Sequence, residues 1–134
     1  MLQENLSWEY DPVANAWKMK ETIDGISQTL TDGFYIVYTK ISDKQTTDSL
    51  ANYTNDTYYF DKDSHLVTGW LQTIDNRWYF FDTARDMNMG KMALGWKYID
   101  KEWYYFTADG SMLVSGMSPD GYQVDANGKF VHTN

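Results

Sequence analysis

The chain has 134 residues, of which 17% are aromatic and 43% apolar, with no cysteine, so one domain or a short array of repeats is the size class. Eleven Lys and Arg face 19 Asp and Glu for a net charge of −8, which excludes a phosphate-backbone binder held by basic side chains. The missing cysteines exclude a disulfide framework and any thiolate metal site. No apolar run approaches the roughly 20 residues of a membrane span. The opening "MLQENLSWEY" lacks the basic and apolar regions of a secretory leader, so export is either not encoded here or its signal has been trimmed.

The predicted elements begin with "SWEYDPVANAWKMK", a candidate hairpin in which Trp8 and Trp17 flank an Asp-Pro turn region. "DGFYIVYTKI" alternates as a strand, placing Phe34, Ile36 and Tyr38 on one side. "ISDKQTTDSLANYTND", residues 41–56, is polar and reads as a loop. Residues 1–56 do not repeat cleanly. They are either divergent β repeats or a small β unit that caps the open end of the C-terminal half. A cap is physically required, because a terminal hairpin otherwise exposes strand edges and aromatic faces.

From residue 57 a pattern recurs. Aligning TYYF, WYFF, WYYF and GYQV gives units that begin at 57, 78, 103 and 121. Each unit then reaches a turn followed by Ser-His-Leu, Gly-Lys-Met, Gly-Ser-Met or Gly-Lys-Phe. The first three close at Gly69, Gly95 and Gly116, followed by Trp or Met. Such a period indicates units that bury their apolar faces only against neighbours.

Within a unit the signals are β. "GWKYI" and "EWYYF" flank Asp100-Lys101, a two-residue hairpin turn that pairs Ile99 with Glu102, Tyr98 with Trp103, and Trp96 with Tyr105. Strand side chains alternate faces, so Trp96, Tyr98, Trp103 and Tyr105 share one face, with the two indoles roughly 7–8 Å apart on a diagonal. The preceding hairpin has one more residue between Trp70 and Trp78. A three-residue loop or a bulge between Thr73 and Arg77 is needed to bring those two rings onto one face.

Gly-Trp, a short polar turn, Trp-Tyr-Tyr-Phe and Gly-x-Met together resemble the cell-wall-binding, or choline-binding, repeat family over about residues 57–131. "SPDGYQVDANGKFV" is similar to the closing unit of such arrays in Gram-positive surface proteins, and related repeats occur in glucan-binding enzymes and clostridial toxins. The resemblance implies an all-β, left-handed solenoid of tandem β-hairpins, occupying residues 57–134 here, with a divergent N-terminal half. It also implies ligand cages between consecutive hairpins. Carried over by position, one cage uses Trp70 and Trp78, closed by Tyr105, with Met112 as a lining residue. A second uses Trp96 and Trp103, with Gln123 where the closing aromatic belongs and only Tyr122 nearby. An earlier cage around Tyr59 lacks a Gly-Trp partner.

The implied ligand is choline of teichoic acids, with a wall glycan as the alternative. In both cases the module is extracellular, wall-associated and non-catalytic, without cofactor or metal. The third reading is a structural or protein-interaction module, its partner a protein such as a second copy in a homodimer. Against the ligand readings stands ordinary packing. Tyr58, Phe60, Tyr79, Phe81, Tyr104 and Phe106 alternate with the cage-side residues and are expected in the core, and Met89, Met92, Met112 and Met117 as spacers between layers. Asp75, Asp100, Asp109, Asp120 and Asp125 lie in turn sequences. "DKDSHLVTGWLQ" begins like a calcium loop but has Leu66 and Gln72 where Gly and Glu belong. His65 and His132 have no second His at ligand spacing, and no nucleophile elbow, phosphate loop or zinc-protease motif occurs.

Overall fold

The computed structural model describes residues 1–2, 5–43 and 51–132, whose regular elements are all β-strands, with no α-helix among them. They form small antiparallel sheets, and the contacts divide them into two compact units. One comprises Met1–Thr68 with Thr83–Lys91, the other Gly69–Asp82 with the chain from Met92 onward.

The first unit starts with a three-stranded sheet of β1 (Leu6–Asp11), β2 (Ala16–Ile23) and β3 (Ile26–Thr29). The expected Trp8/Trp17 hairpin is β1–β2, in which Trp8 pairs with Met19 and Tyr10 with Trp17. Asp11 starts the turn, its Oδ1 accepting the N–H groups of Val13 at 3.0 Å and Ala14 at 3.3 Å. Asp24 and Gly25, at φ 52° and 79°, then turn β2 into β3. That Asp-Gly pair suits a two-residue turn whose backbone twist matches the strands.

A second sheet pairs β4 (Gly33–Lys40) with β5 (Tyr53–Phe60). Here the sequence reading needs correcting. Of the polar stretch read as a loop, residues 44–50 lie outside the described residues, but Tyr53–Asp56 is strand. Lys40 to Val37 of β4 supply it with a complete ladder, and pairing outweighs weak local propensity. Met19, Leu30, Val37, Tyr58 and Phe60 form the core of this unit, with Met1, Leu6, Tyr35 and Leu66 packed around them.

The second unit holds three hairpins: β6 (Gly69–Gln72) with β7 (Trp78–Phe81), β8 (Gly95–Ile99) with β9 (Glu102–Phe106), and β10 (Gly116–Met117) with β11 (Gln123–Val124). The β8–β9 register is the expected one, Ile99 with Glu102, Tyr98 with Trp103, Trp96 with Tyr105. In β6–β7 the loop contains three residues closed by Thr73 N–H donating to Arg77 C=O at 2.9 Å, with Asn76 left-handed at φ 65°. Trp70 pairs with Phe80 and Gln72 with Trp78, so both indoles share a face, the outcome such a loop was expected to give.

After each hairpin the chain bridges back to it: Phe81 to Met92, Phe106 to Met112, Val124 to Phe130. Met92 and Met112 then sit under the next turn. Gly110, at φ 89°, lies where an added Cβ would be 2.4 Å from Met92, and Gly128, at φ 81°, where it would be 2.6 Å from Met112. Only glycine satisfies both the backbone angle and the close approach. Phe80, Ala93, Ile99 and Phe106 make the core, joined by Trp70, Tyr104 and Met112. Met92 and Met112 are thus spacers as expected, whereas Met117 is not. It is 65% exposed.

Candidate functional site

Aromatic residues collect at two places in the second unit, and strand alternation decides which ones. A hairpin has a forward face and a rear face. On β8–β9 the forward face carries Trp96, Tyr98, Trp103 and Tyr105, and the rear face carries Lys97, Tyr104 and Phe106. The rear face is the one that meets Trp70.

At the first place, Trp70 stands edge-to-face with Trp78, centroids 6.1 Å apart and planes at 86°. Tyr104 approaches Trp70 at 4.9 Å and 75°, and Phe106 lies beneath it at 5.9 Å and 40°. Met112 is tied to the same corner by its N–H, which donates to Trp78 C=O at 2.7 Å. Trp78 is 37% exposed, so the corner is open on its side. The sequence reading named Tyr105 as the closing ring. The structure brings Trp70, Trp78 and Met112 together as named but sets Tyr104 against Trp70. Tyr105 points the other way, onto Trp96 at 5.2 Å.

The second place is a cavity of about 340 Å³ lined by Trp96, Trp103, Asp120, Tyr122 and Phe130. In the repeat alignment Tyr122 occupies the position of Tyr104, so the one-residue correction that removes Tyr105 from the first place also supplies the ring that Gln123 was expected to lack at the second. Tyr122 meets Trp96 at 6.2 Å and 82°, and Phe130 meets it at 5.8 Å and 82°. Phe130 takes the place of Met112, its N–H donating to Trp103 C=O at 2.9 Å. Trp103 is 43% exposed, and Tyr98 rests on its outer side at 5.1 Å.

One charge belongs to this cavity. Asp120 accepts the Trp96 indole N–H at 3.0 Å and the Ser118 hydroxyl. The Ser118 hydrogen bond, with that of Trp96, holds its carboxyl below the usual carboxylate range, so it is anionic at neutral pH. Sequence reading assigned Asp120 to turn formation and left out Phe130. For Phe130 the signal was available, since Gly-Lys-Phe aligns with Gly-Ser-Met. For the reach of Asp120 to an indole 24 residues earlier there was none.

The arrangement offers ring faces and one carboxylate, which suits a bulky cation or the apolar face of a sugar. Elsewhere, Asp61, Asp63 and His65 bring ligand atoms within 4.8 Å of one another. Asp61 Oδ1 already accepts the N–H groups of Asp63 and His65 at 2.9 Å, which is turn chemistry. No helix among the described residues is long and apolar enough to cross a membrane.

Comparison with known proteins gives three findings. Residues 67–116 match the choline-binding repeat family. No curated protein matches the sequence. Among solved structures, a multimodular pneumococcal cell wall endolysin from phage Cp-1, complexed with choline, is similar with a TM-score of 0.60 at 21% identity, covering 95% of this chain and 31% of that one. Choline binding protein F from Streptococcus pneumoniae, in the presence of a peptidoglycan analogue, gives 0.54 at 23%, covering 94% and 40%. At these identities the likeness is one of fold, and the chain spans well under half the length of either protein.

Proposed function

We propose that this chain, which carries choline-binding repeats over residues 67–116, is a non-catalytic cell-wall-binding module that takes the trimethylammonium group of choline into aromatic cages between successive hairpins. The observation that carries the reading is a repeated placement: two indoles on the forward face of one hairpin and a tyrosine from the rear face of the next. Trp70, Trp78 and Tyr104 form one such set, and Trp96, Trp103 and Tyr122 the other.

A quaternary ammonium offers no N–H, so hydrogen-bond acceptors gain little from it, while ring faces supply negative quadrupole density and apolar contact together. Each ring contributes about 0.5–2 kcal/mol, depending on desolvation. Three rings then reach a dissociation constant on the order of millimolar, near −4 kcal/mol. Attachment follows from several such sites engaging one teichoic-acid polymer through effective concentration. In this reading the protein works outside the cell, on the wall. Titration calorimetry with choline tests it, and no heat at tens of millimolar from the intact protein would remove it.

One observation favours a second reading at the second cavity. Asp120 provides a hydrogen-bond acceptor beside the Trp96 ring, a pairing suited to a sugar whose apolar face stacks and whose hydroxyls donate. A glycan array separates the two, because sugar binding there should resist competition by tetramethylammonium only if the rings hold no cation.

A further inference from the structure

The first unit contains a third set of rings, arranged like the set of Trp70, Trp78 and Tyr104 but outside the matched repeats. Trp8 and Trp17 stand 6.3 Å apart with planes at 87°, against 6.1 Å and 86° for Trp70 and Trp78. Tyr58 approaches Trp8 at 5.5 Å and 75°, against 4.9 Å and 75° for Tyr104 on Trp70. Phe60 lies beneath Trp8 at 6.3 Å and 38°, where Phe106 lies beneath Trp70 at 5.9 Å and 40°.

The backbone that sets these rings corresponds as well. Leu66 N–H donates to Trp17 C=O at 2.8 Å, as Met112 N–H does to Trp78 C=O at 2.7 Å. Leu66 bridges Phe60 as Met112 bridges Phe106. Trp8 pairs with Met19 and Tyr10 with Trp17, matching Trp70 with Phe80 and Gln72 with Trp78. The sequence hides this correspondence because Ser7 replaces the glycine before the first tryptophan and the turn spans Pro12 to Asn15. The extra turn residues leave the ring register intact.

We infer that Trp8, Trp17 and Tyr58 form a ligand site of their own, taking a quaternary ammonium ion against three ring faces with Leu66 as the apolar floor. The inference rests on the proposed function for its ligand class and extends it to residues that the repeat motif does not reach. Trp8 is 42% exposed, so the site is open to solvent. Tyr10 lies on Trp17 at 5.2 Å and 57°, as Tyr98 lies on Trp103 at 5.1 Å and 48°, a ring that only the Trp70 and Trp78 set lacks. Burial, with the Asp56 carboxylate, pushes the Tyr58 hydroxyl up to about 12, so the ring stays neutral. Asp56, itself paired with Lys91 at 3.5 Å, places negative charge near a site meant for a cation.

The six tryptophans give six indole N–H signals, which allows each site to report separately. The experiment is a choline chloride titration of the full ¹⁵N-labelled chain, with assignments made by single Trp→Phe substitutions and sodium chloride as the matched-salt control. Saturable shifts at Trp8 and Trp17, with a half-saturation concentration within about tenfold of that at Trp70 and Trp78, are expected. The Trp8→Leu variant should abolish the Trp17 response and leave those of Trp70 and Trp78 unchanged, the latter also showing that the variant is folded. Shifts at Trp70 and Trp78 without any at Trp8 and Trp17 overturn this inference and leave the proposed function standing. Silence at all six overturns both, and shifts at Trp8 and Trp17 alone support this site against the cages of the second unit.

Discussion

Replacing Tyr104 by leucine should weaken the cage of Trp70 and Trp78, whereas replacing Tyr105 by leucine should not. Tyr104 is the ring set against Trp70 at 4.9 Å, and Tyr105 lies on the opposite face of the same strand, 5.2 Å from Trp96. Losing one ring contact of about 0.5–2 kcal/mol corresponds to a rise of roughly 2- to 30-fold in the dissociation constant at that cage. Leucine keeps much of the volume in a core that includes Phe106 and Met112, so the cost in stability should stay below about 1.5 kcal/mol. The assay is the choline-dependent shift of the Trp70 and Trp78 indole signals, with thermal unfolding followed in parallel. If the Tyr105 variant loses the response and the Tyr104 variant keeps it, the assignment of Tyr104 to the rear face of β9 is wrong.

Three other outcomes are expected. Gly110→Ala combines a φ of 89° with a Cβ 2.4 Å from the end of the Met92 side chain, and should cost about 1–3 kcal/mol in denaturant unfolding; a neutral result would contradict the close packing of Met92 under that turn. Lys101, at φ 71° in the β8–β9 turn, should give about 0.5–1 kcal/mol of added stability when changed to glycine, which has no Cβ to strain there; a loss measured by urea titration would refute it. The Asp109 carboxyl is lowered to about 2, first by the Ser111 hydroxyl, then by Thr107, with Arg77 a smaller contributor. A folded value below the unfolded one stabilises fully above about pH 4 and fades as pH falls toward 2. The stability gap between wild type and Asp109→Asn should therefore close over that interval, and a gap independent of pH would exclude the linkage.

Much of the second unit is legible in the sequence because its determinants are local. Asp100-Lys101 fixes a two-residue turn, the turn fixes the register, and the register fixes which of Trp96, Tyr98, Trp103 and Tyr105 share a face. The odd spacing of Trp70 and Trp78 likewise demands the three-residue loop found at Ile74 to Asn76. The expectation that Tyr105 lies against Trp70 conflicts with that same register. Tyr105 belongs to the forward face with Trp96, and a forward-facing residue cannot also close the cage of the hairpin behind it.

The first unit is harder to read because its determinants are distant. β5 becomes a strand through pairing with β4 across residues 41–52, and Trp8 gains its tyrosine from a strand some 50 positions along the chain. Even so, Asp24-Gly25 is a usable hairpin signal for β3, one that pattern reading of residues 1–56 overlooks. Phe130 is recoverable from the repeat alignment, whereas Asp120 requires the fold.

Soaking crystals of the protein in choline and locating the trimethylammonium group would test the central claim most directly. Density should appear within about 6 Å of the ring centroids of Trp70, Trp78 and Tyr104, and within the cavity bounded by Trp96, Trp103 and Tyr122. Saturating choline that leaves both corners empty, with accessible crystal solvent on the side of Trp78 and Trp103, would contradict it.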